Sequence, residues 1–392
     1  MHDGARIPAI LVVGGGLAAT ALAGSLRAGG FAGRIVVASD ETRLPYDRPP
    51  LTKELFTRDS PVDLCTDLGL DPAAVEWRLG LRATRLRAGA VEFADADGRS
   101  EVLAADAVVL ATGARPAPPP AWQGVHVLST WDDAQRLRSR LTPGAGVVVV
   151  GAGWIGLELA GTATAAGARV TLVDGAARPL GTLLPAPVGA RIATWLADAG
   201  VTLVPRGVSG ASATGVRLDD GTHLPADVVV AAVGARPATG WLPGRWLAPS
   251  GHVRVDDRQA VADGLWAIGD CAAVAGLPDQ HWNAAVASAQ RCAAAILGTE
   301  PPARRAPTVF SAILGRAVDL VGRPSPALDV VWREERGWTA LLFQGDSLAA
   351  GLTVDRPRDV AALRRLLADG PVRLGRDTAA DPARPLRDAL PA

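Results

Sequence analysis

Residues 146–158 carry the pattern that decides the fold: Gly146-Val147-Val148-Val149-Val150-Gly151-Ala152-Gly153-Trp154-Ile155-Gly156-Leu157-Glu158. An apolar run enters a Gly-x-Gly-x-x-Gly turn and a helical stretch follows, after which a second apolar run, Arg169 to Val173, ends at Asp174. This order predicts a strand, a tight turn, a helix and a strand, with backbone N–H groups at the helix N-terminus approaching a pyrophosphate. Because Asp174 is placed to bind a ribose 2′-hydroxyl, the stretch predicts a dinucleotide-binding unit.

A second copy of the pattern begins near the N-terminus. The apolar run Ile7 to Val13 leads into Gly14-Gly15-Gly16-Leu17-Ala18-Ala19, where alanine takes the third glycine position, as the pattern allows. A helical stretch and the strand Arg34 to Ala38 follow, and the spacing does not choose between Asp40 and Glu41 as the acid that binds a ribose diol. Two such units in one chain predict two dinucleotides and a hydride passed between them.

Two short strands with matching ends mark where the chain crosses between these units. Residues 108–116 read Val-Val-Leu-Ala-Thr-Gly-Ala-Arg-Pro and residues 229–237 read Val-Val-Ala-Ala-Val-Gly-Ala-Arg-Pro. The second unit is therefore inserted into the first. The chain returns to the first unit with the apolar run 264–268, which ends in Gly269-Asp270.

The C-terminal part follows the Pro-rich linker 300–307. Alternating apolar and polar residues predict antiparallel strands at 328–333, 338–343 and 347–354, and a helix at 359–368. The last twenty or so residues lack periodicity, so we expect them to be poorly ordered.

The fold class predicted is therefore α/β, with two Rossmann-like dinucleotide-binding domains, one inserted in the other, plus a C-terminal α+β domain. The predicted domain boundaries are 1–113 and 241–302 for the first nucleotide domain, 114–240 for the second, and 303–392 for the C-terminal domain with its flexible tail.

Composition excludes several classes of function. The 392 residues carry 40 Lys+Arg and 40 Asp+Glu, and this balance speaks against nucleic acid, which needs a concentrated positive face. No apolar run of about 18 residues predicts a membrane span, and the N-terminus lacks a signal-peptide pattern. Three scattered cysteines, Cys65, Cys271 and Cys292, favour a reducing cytoplasm over a disulfide framework. No His/Cys cluster has metal-ligand spacing, so no metal is expected.

The stretch Tyr46-Asp47-Arg48-Pro49-Pro50-Leu51-Thr52-Lys53 is unusual in this chain. It holds the only tyrosine and the only lysine of the sequence, since every other basic residue apart from histidine is arginine. Two consecutive prolines restrict the backbone of this loop.

The order of these motifs resembles the FAD-dependent ferredoxin reductases, relatives of putidaredoxin reductase within the pyridine nucleotide-disulfide oxidoreductase superfamily. Members of this family supply electrons to the iron–sulfur partners of bacterial cytochromes P450 and Rieske oxygenases. The resemblance covers nearly the whole chain, and its most specific parts are the Arg-Pro-Pro-Leu-Thr-Lys loop at 48–53 and the Gly-Trp-Ile-Gly-Leu-Glu run at 153–158. It implies an NADH-dependent flavoenzyme whose partner is a ferredoxin.

The resemblance also implies a role for particular residues. Lys53 lies beside the flavin ring and Glu158 faces the nicotinamide, and these two are the expected catalytic residues. Asp174 favours NADH over NADPH because a carboxylate repels a 2′-phosphate. The expected cofactor-binding residues are Gly14, Gly16, Ala18, Asp40, Glu41, Arg48, Lys53, Ala111, Thr112, Gly113, Arg115, Gly269, Asp270, Trp282, Gly151, Gly153, Trp154, Ile155, Gly156, Asp174 and Gly234.

Within that set, the resemblance places Gly14, Gly16 and the acid at 40 or 41 at the ADP half of FAD. Arg48 is expected at the FAD pyrophosphate and Asp270 at the ribityl chain, while Trp282 is a candidate cover for the flavin.

Two departures from the family pattern keep alternatives open. A serine, Ser288, stands where the family has glutamine, and residues 309–313 read Val-Phe-Ser-Ala-Ile where Phe-Trp-Ser-Asp-Gln is common. The second departure predicts that a polar docking patch has become apolar. One alternative is a ferredoxin-independent NADH-dependent flavoenzyme that reduces oxygen or a small molecule in secondary metabolism. The other is a flavin redox sensor.

Overall fold

The computed structural model describes residues 7–390, and the chain divides into two compact units. The first contains 7–47, Ser60–Arg115 and Ala235–Ala303, and the second contains Arg48–Asp59, Pro116–Gly234 and 304–390. The loop Arg48–Asp59 thus belongs to the second unit, whereas the predicted boundaries placed it in the first domain. Residues 1–6, on which the expected absence of a signal peptide partly rests, lie outside the described residues.

A six-stranded sheet forms the centre of the first unit. Its strands, in spatial order, are Ala260–Ala262, Leu265–Ala267, Ala107–Leu110, Ala9–Val13, Arg34–Ser39 and Glu76–Leu79. All neighbours are parallel except Ala260–Ala262, which runs antiparallel to Leu265–Ala267. Parallel strands that are buried on both faces consist of consecutive apolar residues, and the central strands of this sheet do as well.

Smaller sheets complete the first unit. Three antiparallel strands are Arg82–Arg87, Ala90–Ala94 and Ser100–Ala104, and a further sheet joins Val253–Val255, Ala272–Val274 and Leu277–Pro278. The two crossing segments contribute the short strands Ala114–Pro116 and Ala235–Pro237. The sequence prediction did not include the strands at 82–104, although alternating residues around the Asp97-Gly98 turn carry that signal.

The second unit contains a four-stranded parallel sheet and two antiparallel sheets. The parallel sheet has the order Thr202–Val204, Arg169–Val173, Gly146–Val150 and Val228–Ala231. A three-stranded sheet comprises Val208–Ser212, Gly215–Leu218 and His223–Pro225. The C-terminal sheet has the order Thr308–Ile313, Arg316–Gly322, Ser347–Val354, Gly337–Gln344 and Asp329–Glu335, and Val372–Arg373 pairs with Ser347–Val354. The predicted α/β class with a C-terminal α+β part is confirmed.

The α-helices are Leu17–Ala28, Pro50–Lys53, Leu64–Asp67, Trp131–Arg138, Trp154–Ala165, Ala186–Asp198, Trp282–Leu297, Pro357–Leu366 and Arg376–Ala380. Each fingerprint helix follows its glycine turn directly, as the sequence predicted. Within residues 7–390, none of these helices combines the length and apolar character needed to cross a membrane.

The C-terminal segment differs from the expected disordered tail. Leu374, Ala379, Leu386 and Ala389 are buried in the core of the C-terminal sheet. Arg333, which is 2% exposed, donates to the carbonyl oxygens of Ala379, Asp381 and Arg384. Sequence periodicity missed this segment because its order comes from contacts with a distant arginine rather than from a regular helix.

Candidate functional site: two dinucleotide cradles and a lysine–glutamate ion pair

The first fingerprint forms a narrow backbone turn in the first unit. Gly14 has φ +109°, and a Cβ there would lie 2.2 Å from the carbonyl oxygen of Ala111. Only glycine fits this position, because both the conformation and the close approach exclude a side chain. A Cβ at Gly16, by contrast, would meet nothing within 4 Å. The space in front of the helix Leu17–Ala28 is therefore open at the point where its N–H groups are available to an anion.

The segment 111–113 and the turn at Gly269 lie against this cradle. A Cβ on Gly269 would come within 2.9 Å of the Cβ of Ala18, so the Gly269-Asp270 turn contacts the fingerprint helix. Gly113 has φ +64°, and the buried hydroxyl of Thr112 has no hydrogen-bond partner. An unpaired buried hydroxyl beside an open glycine turn fits a polar ligand. The residues present in the first unit thus fit the ADP half of a dinucleotide.

The two candidate ribose-binding acids have different partners. Asp40 forms an ion pair with Arg115, and Glu41 accepts a hydrogen bond from the hydroxyl of Tyr46. Since both carboxylates lie at the end of the strand Arg34–Ser39, either is still placed for a ribose, and the assignment stays a prediction. The tyrosine that looked unusual in the sequence orients Glu41.

Ser288 has a function that sequence reasoning did not identify. Its hydroxyl accepts from the backbone N–H of Gly269 at 3.0 Å and donates to the carbonyl of Ala285 at 2.8 Å. The serine at the family's glutamine position therefore supports the Gly269-Asp270 turn. Trp282, the first residue of the helix Trp282–Leu297, donates its indole N–H to Asp47 at 3.0 Å. That bond fixes the indole, and its predicted role as a flavin cover is untested.

The second fingerprint repeats the cradle in the second unit. Gly151 has φ +106°, and its Cβ would lie 2.3 Å from the carbonyl oxygen of Ala232. A Cβ on Gly156 would meet the carbonyl oxygen of Gly151 at 1.9 Å, whereas one on Gly153 would meet nothing within 4 Å. The first and third glycines thus permit close packing, while the middle glycine leaves space for a pyrophosphate.

Asp174 closes this second turn. Its carboxylate accepts from the backbone N–H of Ala152 at 2.6 Å and of Ala176 at 2.7 Å. The acid therefore holds the turn and retains lone pairs for a ribose hydroxyl. Of the other predicted contacts, Ile155 is 48% exposed and Gly234 has φ +97° with open space around it. Trp154, which begins the helix Trp154–Ala165, is half-buried.

Glu158 is the centre of a hydrogen-bonded cluster in the second unit. Its carboxylate is 6% exposed, and Oε1 lies 2.8 Å from Nζ of Lys53. Ser311 donates its hydroxyl to the same oxygen at 2.6 Å, and Thr52 donates to Oε2. A buried carboxylate is costly unless it is paired and hydrogen-bonded, and here three donors meet that need. The structure therefore brings together the two residues predicted to be catalytic.

Contacts with three further residues hold the loop and the lysine in place. Thr162, one turn after Glu158, donates its hydroxyl to the carbonyl of Thr52 at 2.8 Å. The ammonium of Lys53 also lies 5.2 Å from the ring centroid of Phe310, within cation–π range. Arg48, at the start of the same loop, donates to the carbonyl of Ser129 at 2.6 Å and to its hydroxyl at 2.9 Å. The predicted contact of Arg48 with a pyrophosphate stays untested.

The strand Thr308–Ile313 exposes only part of the segment predicted to form an apolar docking patch, and the docking role itself stays a prediction. Ile313 is fully buried, so its side chain belongs to the core and cannot form part of a surface. Phe310, in contrast, is 40% exposed, and Ala312 is exposed on the same face. The alternating exposure of an edge strand explains the difference, because successive side chains point to opposite faces.

The cysteines do not form a redox centre. All three are buried and free. Burial, with a smaller contribution from Asp63, raises the pKa of Cys65 to about 11, and burial also raises the pKa values of Cys271 and Cys292. Thiols with raised pKa values are poor nucleophiles at neutral pH. Among residues 7–390, no group of three or more His, Cys, Asp or Glu side chains is arranged to hold a metal ion.

Two nucleotide cradles on parallel sheets, without a reactive dithiol, define the protein as an oxidoreductase of the two-dinucleotide class. Residues 8–291 match the family model described as pyridine nucleotide-disulphide oxidoreductase, and residues 311–390 match the reductase C-terminal model. The chain belongs to the pyridine nucleotide-disulphide oxidoreductase family. The expectation of an FAD- and NAD(H)-dependent oxidoreductase is thereby confirmed.

Individual relatives are similar over almost their whole length. The chain is 33% identical to the benzene 1,2-dioxygenase system ferredoxin–NAD(+) reductase subunit of Pseudomonas putida, covering 97% of this chain and 97% of the relative. It is 29% identical to putidaredoxin reductase of Pseudomonas putida, covering 92% of each. Among solved structures, the covalent putidaredoxin reductase–putidaredoxin complex superposes with a TM-score of 0.85 at 28% identity, covering 97% of this chain and 98% of that one.

Proposed function

We propose that this protein is an NADH-dependent FAD reductase that passes electrons to an iron–sulfur ferredoxin, which in turn serves a cytochrome P450 or a Rieske oxygenase. Relatives named as ferredoxin–NAD(+) reductases of dioxygenase systems support this proposal, because they match over nearly the full chain. The solved complex of putidaredoxin reductase with putidaredoxin supports a ferredoxin-type partner.

In this proposal each unit binds its own nucleotide. In the first unit, Gly14, Gly16 and the Gly269-Asp270 turn would hold FAD, together with Thr112 and the acid at 40 or 41. In the second unit, Gly151, Gly153 and Gly156 would hold NADH, and Asp174 would bind its ribose 2′-hydroxyl. When bound, FAD supplies the chemistry, since it accepts a hydride and releases electrons singly.

The observation that carries the proposal is the ion pair between Lys53, which is half-buried, and Glu158, which is buried on the helix of the second fingerprint. Nζ of Lys53, the only lysine of the chain, lies 2.8 Å from a carboxylate that two hydroxyl groups also fix. A fixed ammonium favours negative charge that develops during a reaction, without the cost of reorganising water. We assign to Lys53 the stabilisation of that charge and to Glu158 the orientation of Lys53 and of the nicotinamide.

Steady-state kinetics test the proposal. Fast NADH oxidation that depends on an added ferredoxin supports it. Equal rates with and without ferredoxin would favour the ferredoxin-independent flavoenzyme, and a stable NADH complex without turnover would favour the redox sensor. We also propose a cytoplasmic location, which cell fractionation tests; the three free cysteines support it.

A further inference from the structure

One face of the helix Trp154–Ala165 collects contacts from two separate segments of the second unit. The carboxylate of Glu158 accepts hydrogen bonds from the hydroxyl groups of Thr52 and Ser311. Gly161, one turn further along, lies so close to the hairpin turn at Leu314 that an added Cβ would come 3.2 Å from its backbone nitrogen. Positions 158 and 161 share a helical face, so the hairpin that carries Ser311 is packed against the helix at two points.

The hairpin reaches both members of the ion pair. Ser311 donates to Oε1 of Glu158 at 2.6 Å, the same oxygen that lies 2.8 Å from the ammonium of Lys53. The neighbouring residue, Phe310, places its ring 5.2 Å from that ammonium. Of these two consecutive residues of the C-terminal sheet, Ser311 therefore contacts the carboxylate and Phe310 contacts the ammonium.

We propose that Ser311 is a positioning residue for the reaction: it fixes the carboxylate of Glu158 so that this carboxylate holds Lys53 in one place. The inference rests on the proposed function for its catalytic consequence. The physical reason is that a hydroxyl donating to a buried carboxylate makes a charge-assisted bond, about twice as strong as a neutral one. Without the hydrogen bond from Ser311, the hydroxyl of Thr52 alone restrains the carboxylate. The side chain of Lys53 then becomes more mobile.

Because Lys53 is the only lysine, the accessibility of its amine can be measured by chemical labelling. Lys53 carries the only side-chain amine of the chain, so acylation at this residue, followed by peptide mass spectrometry, reports on this site alone. The matched control is Thr353→Val. Thr353 lies in the same C-terminal sheet, is fully buried, and has a hydroxyl without a hydrogen-bond partner, so its removal should be nearly neutral.

We expect Ser311→Ala to raise the acylation rate of Lys53 by about tenfold to a hundredfold, the range that corresponds to losing one charge-assisted hydrogen bond. Glu158→Gln, which removes the charge, should raise it at least as much. Ser311→Thr should restore the slow rate, and Thr353→Val should match the wild type. Equal rates in the wild type and Ser311→Ala, or an unchanged rate in Glu158→Gln, would overturn the proposal.

A second measurement links the position of Lys53 to the reaction. In stopped-flow reduction of the FAD-loaded enzyme by NADH, Ser311→Ala should lower the limiting rate by about tenfold while leaving the dissociation constant of NADH unchanged. A change in the dissociation constant alone would mean that Ser311 only shapes the binding site. The acylation rates of Lys53 in these variants are measured without NADH or ferredoxin. A protein that shows the expected acylation rates but reduces no ferredoxin would therefore contradict the proposed function, while the positioning of Lys53 by Ser311 would still stand.

Discussion

At the scale of single residues, the proposed function assigns the chemistry of the second unit to one compact cation. The ammonium of Lys53 contacts the carboxylate of Glu158 and the ring of Phe310. An arginine would present a broad planar fork with five donors, which does not match a single carboxylate oxygen shared with a serine hydroxyl. The rarity of lysine in this chain therefore has a structural counterpart.

Lys53→Arg should slow flavin reduction by NADH by about tenfold, equivalent to about 1.4 kcal/mol, because the guanidinium cannot occupy the position of the ammonium. FAD content should stay at the wild-type level. Stopped-flow absorbance of the flavin gives the rate, and the absorbance ratio of flavin to protein gives the occupancy. A wild-type rate in the arginine variant would show that Lys53 is only a loop residue.

Asp174 sets the preference for NADH in our proposal. Asp174→Ala should lower the ratio of kcat/KM for NADH over NADPH by about tenfold, since the carboxylate that repels a 2′-phosphate is gone. It also removes the acceptor of the Ala152 and Ala176 N–H groups, so both substrates should bind more weakly. Asp220→Ala, an exposed acid in the same unit, is the control. An unchanged ratio would contradict the role of Asp174.

At the scale of elements, regular patterns were predictable and long-range contacts were not. The fingerprint strand predicted at 169–173 is observed as Arg169–Val173, and the meander strand predicted at 347–354 is observed as Ser347–Val354. The apolar periodicity that defines these elements is local to each. The tail at 374–389 is ordered by Arg333, some forty residues earlier, and no local pattern encodes that contact.

In the candidate site, too, local features were predictable from the sequence and long-range contacts were not. The glycine turns follow from spacing, because only glycine permits φ +109° at Gly14 and φ +106° at Gly151. The partners of Glu158 come from segments more than a hundred residues away in sequence, Thr52 and Ser311. Sequence reasoning identified Lys53 and Glu158 through a resemblance, but it could not supply the hydroxyl groups that hold them.

Arg333 offers a prediction for the C-terminal element. Arg333→Leu should destabilise the C-terminal sheet by about 3 kcal/mol, because three carbonyl oxygens lose their donor inside the protein. Limited proteolysis should then cut within 374–389, and the melting temperature should fall. The control is Arg364→Leu, a half-exposed arginine whose ion pair with Asp319 is long at 3.9 Å. Equal stability of the two variants would contradict a stabilising role for the hydrogen bonds of Arg333.

At the scale of the whole molecule, three histidines make stability depend on pH. Burial is the largest cause that lowers the pKa values of His126, His252 and His281 below the ordinary 6.5. Well above pH 6.5, by about one unit or more, these side chains are neutral in both states. As the pH falls below 6.5, the unfolded chain binds protons that the folded chain does not, so stability falls.

The melting temperature should therefore decrease between pH 7.5 and pH 5.5, and His281→Gln should flatten that decrease. Differential scanning fluorimetry across this range measures both curves. A melting temperature that stays constant or rises on acidification would contradict the burial effect.

In the proposed function, electrons enter from NADH through a flavin and leave to a ferredoxin. An anaerobic titration of the FAD-loaded protein tests it most directly. NADH should bleach the flavin absorbance, and two equivalents of an oxidised one-electron iron–sulfur protein should then restore it while becoming reduced. A flavin that NADH reduces, but that the iron–sulfur protein leaves reduced until oxygen is admitted, would contradict the account.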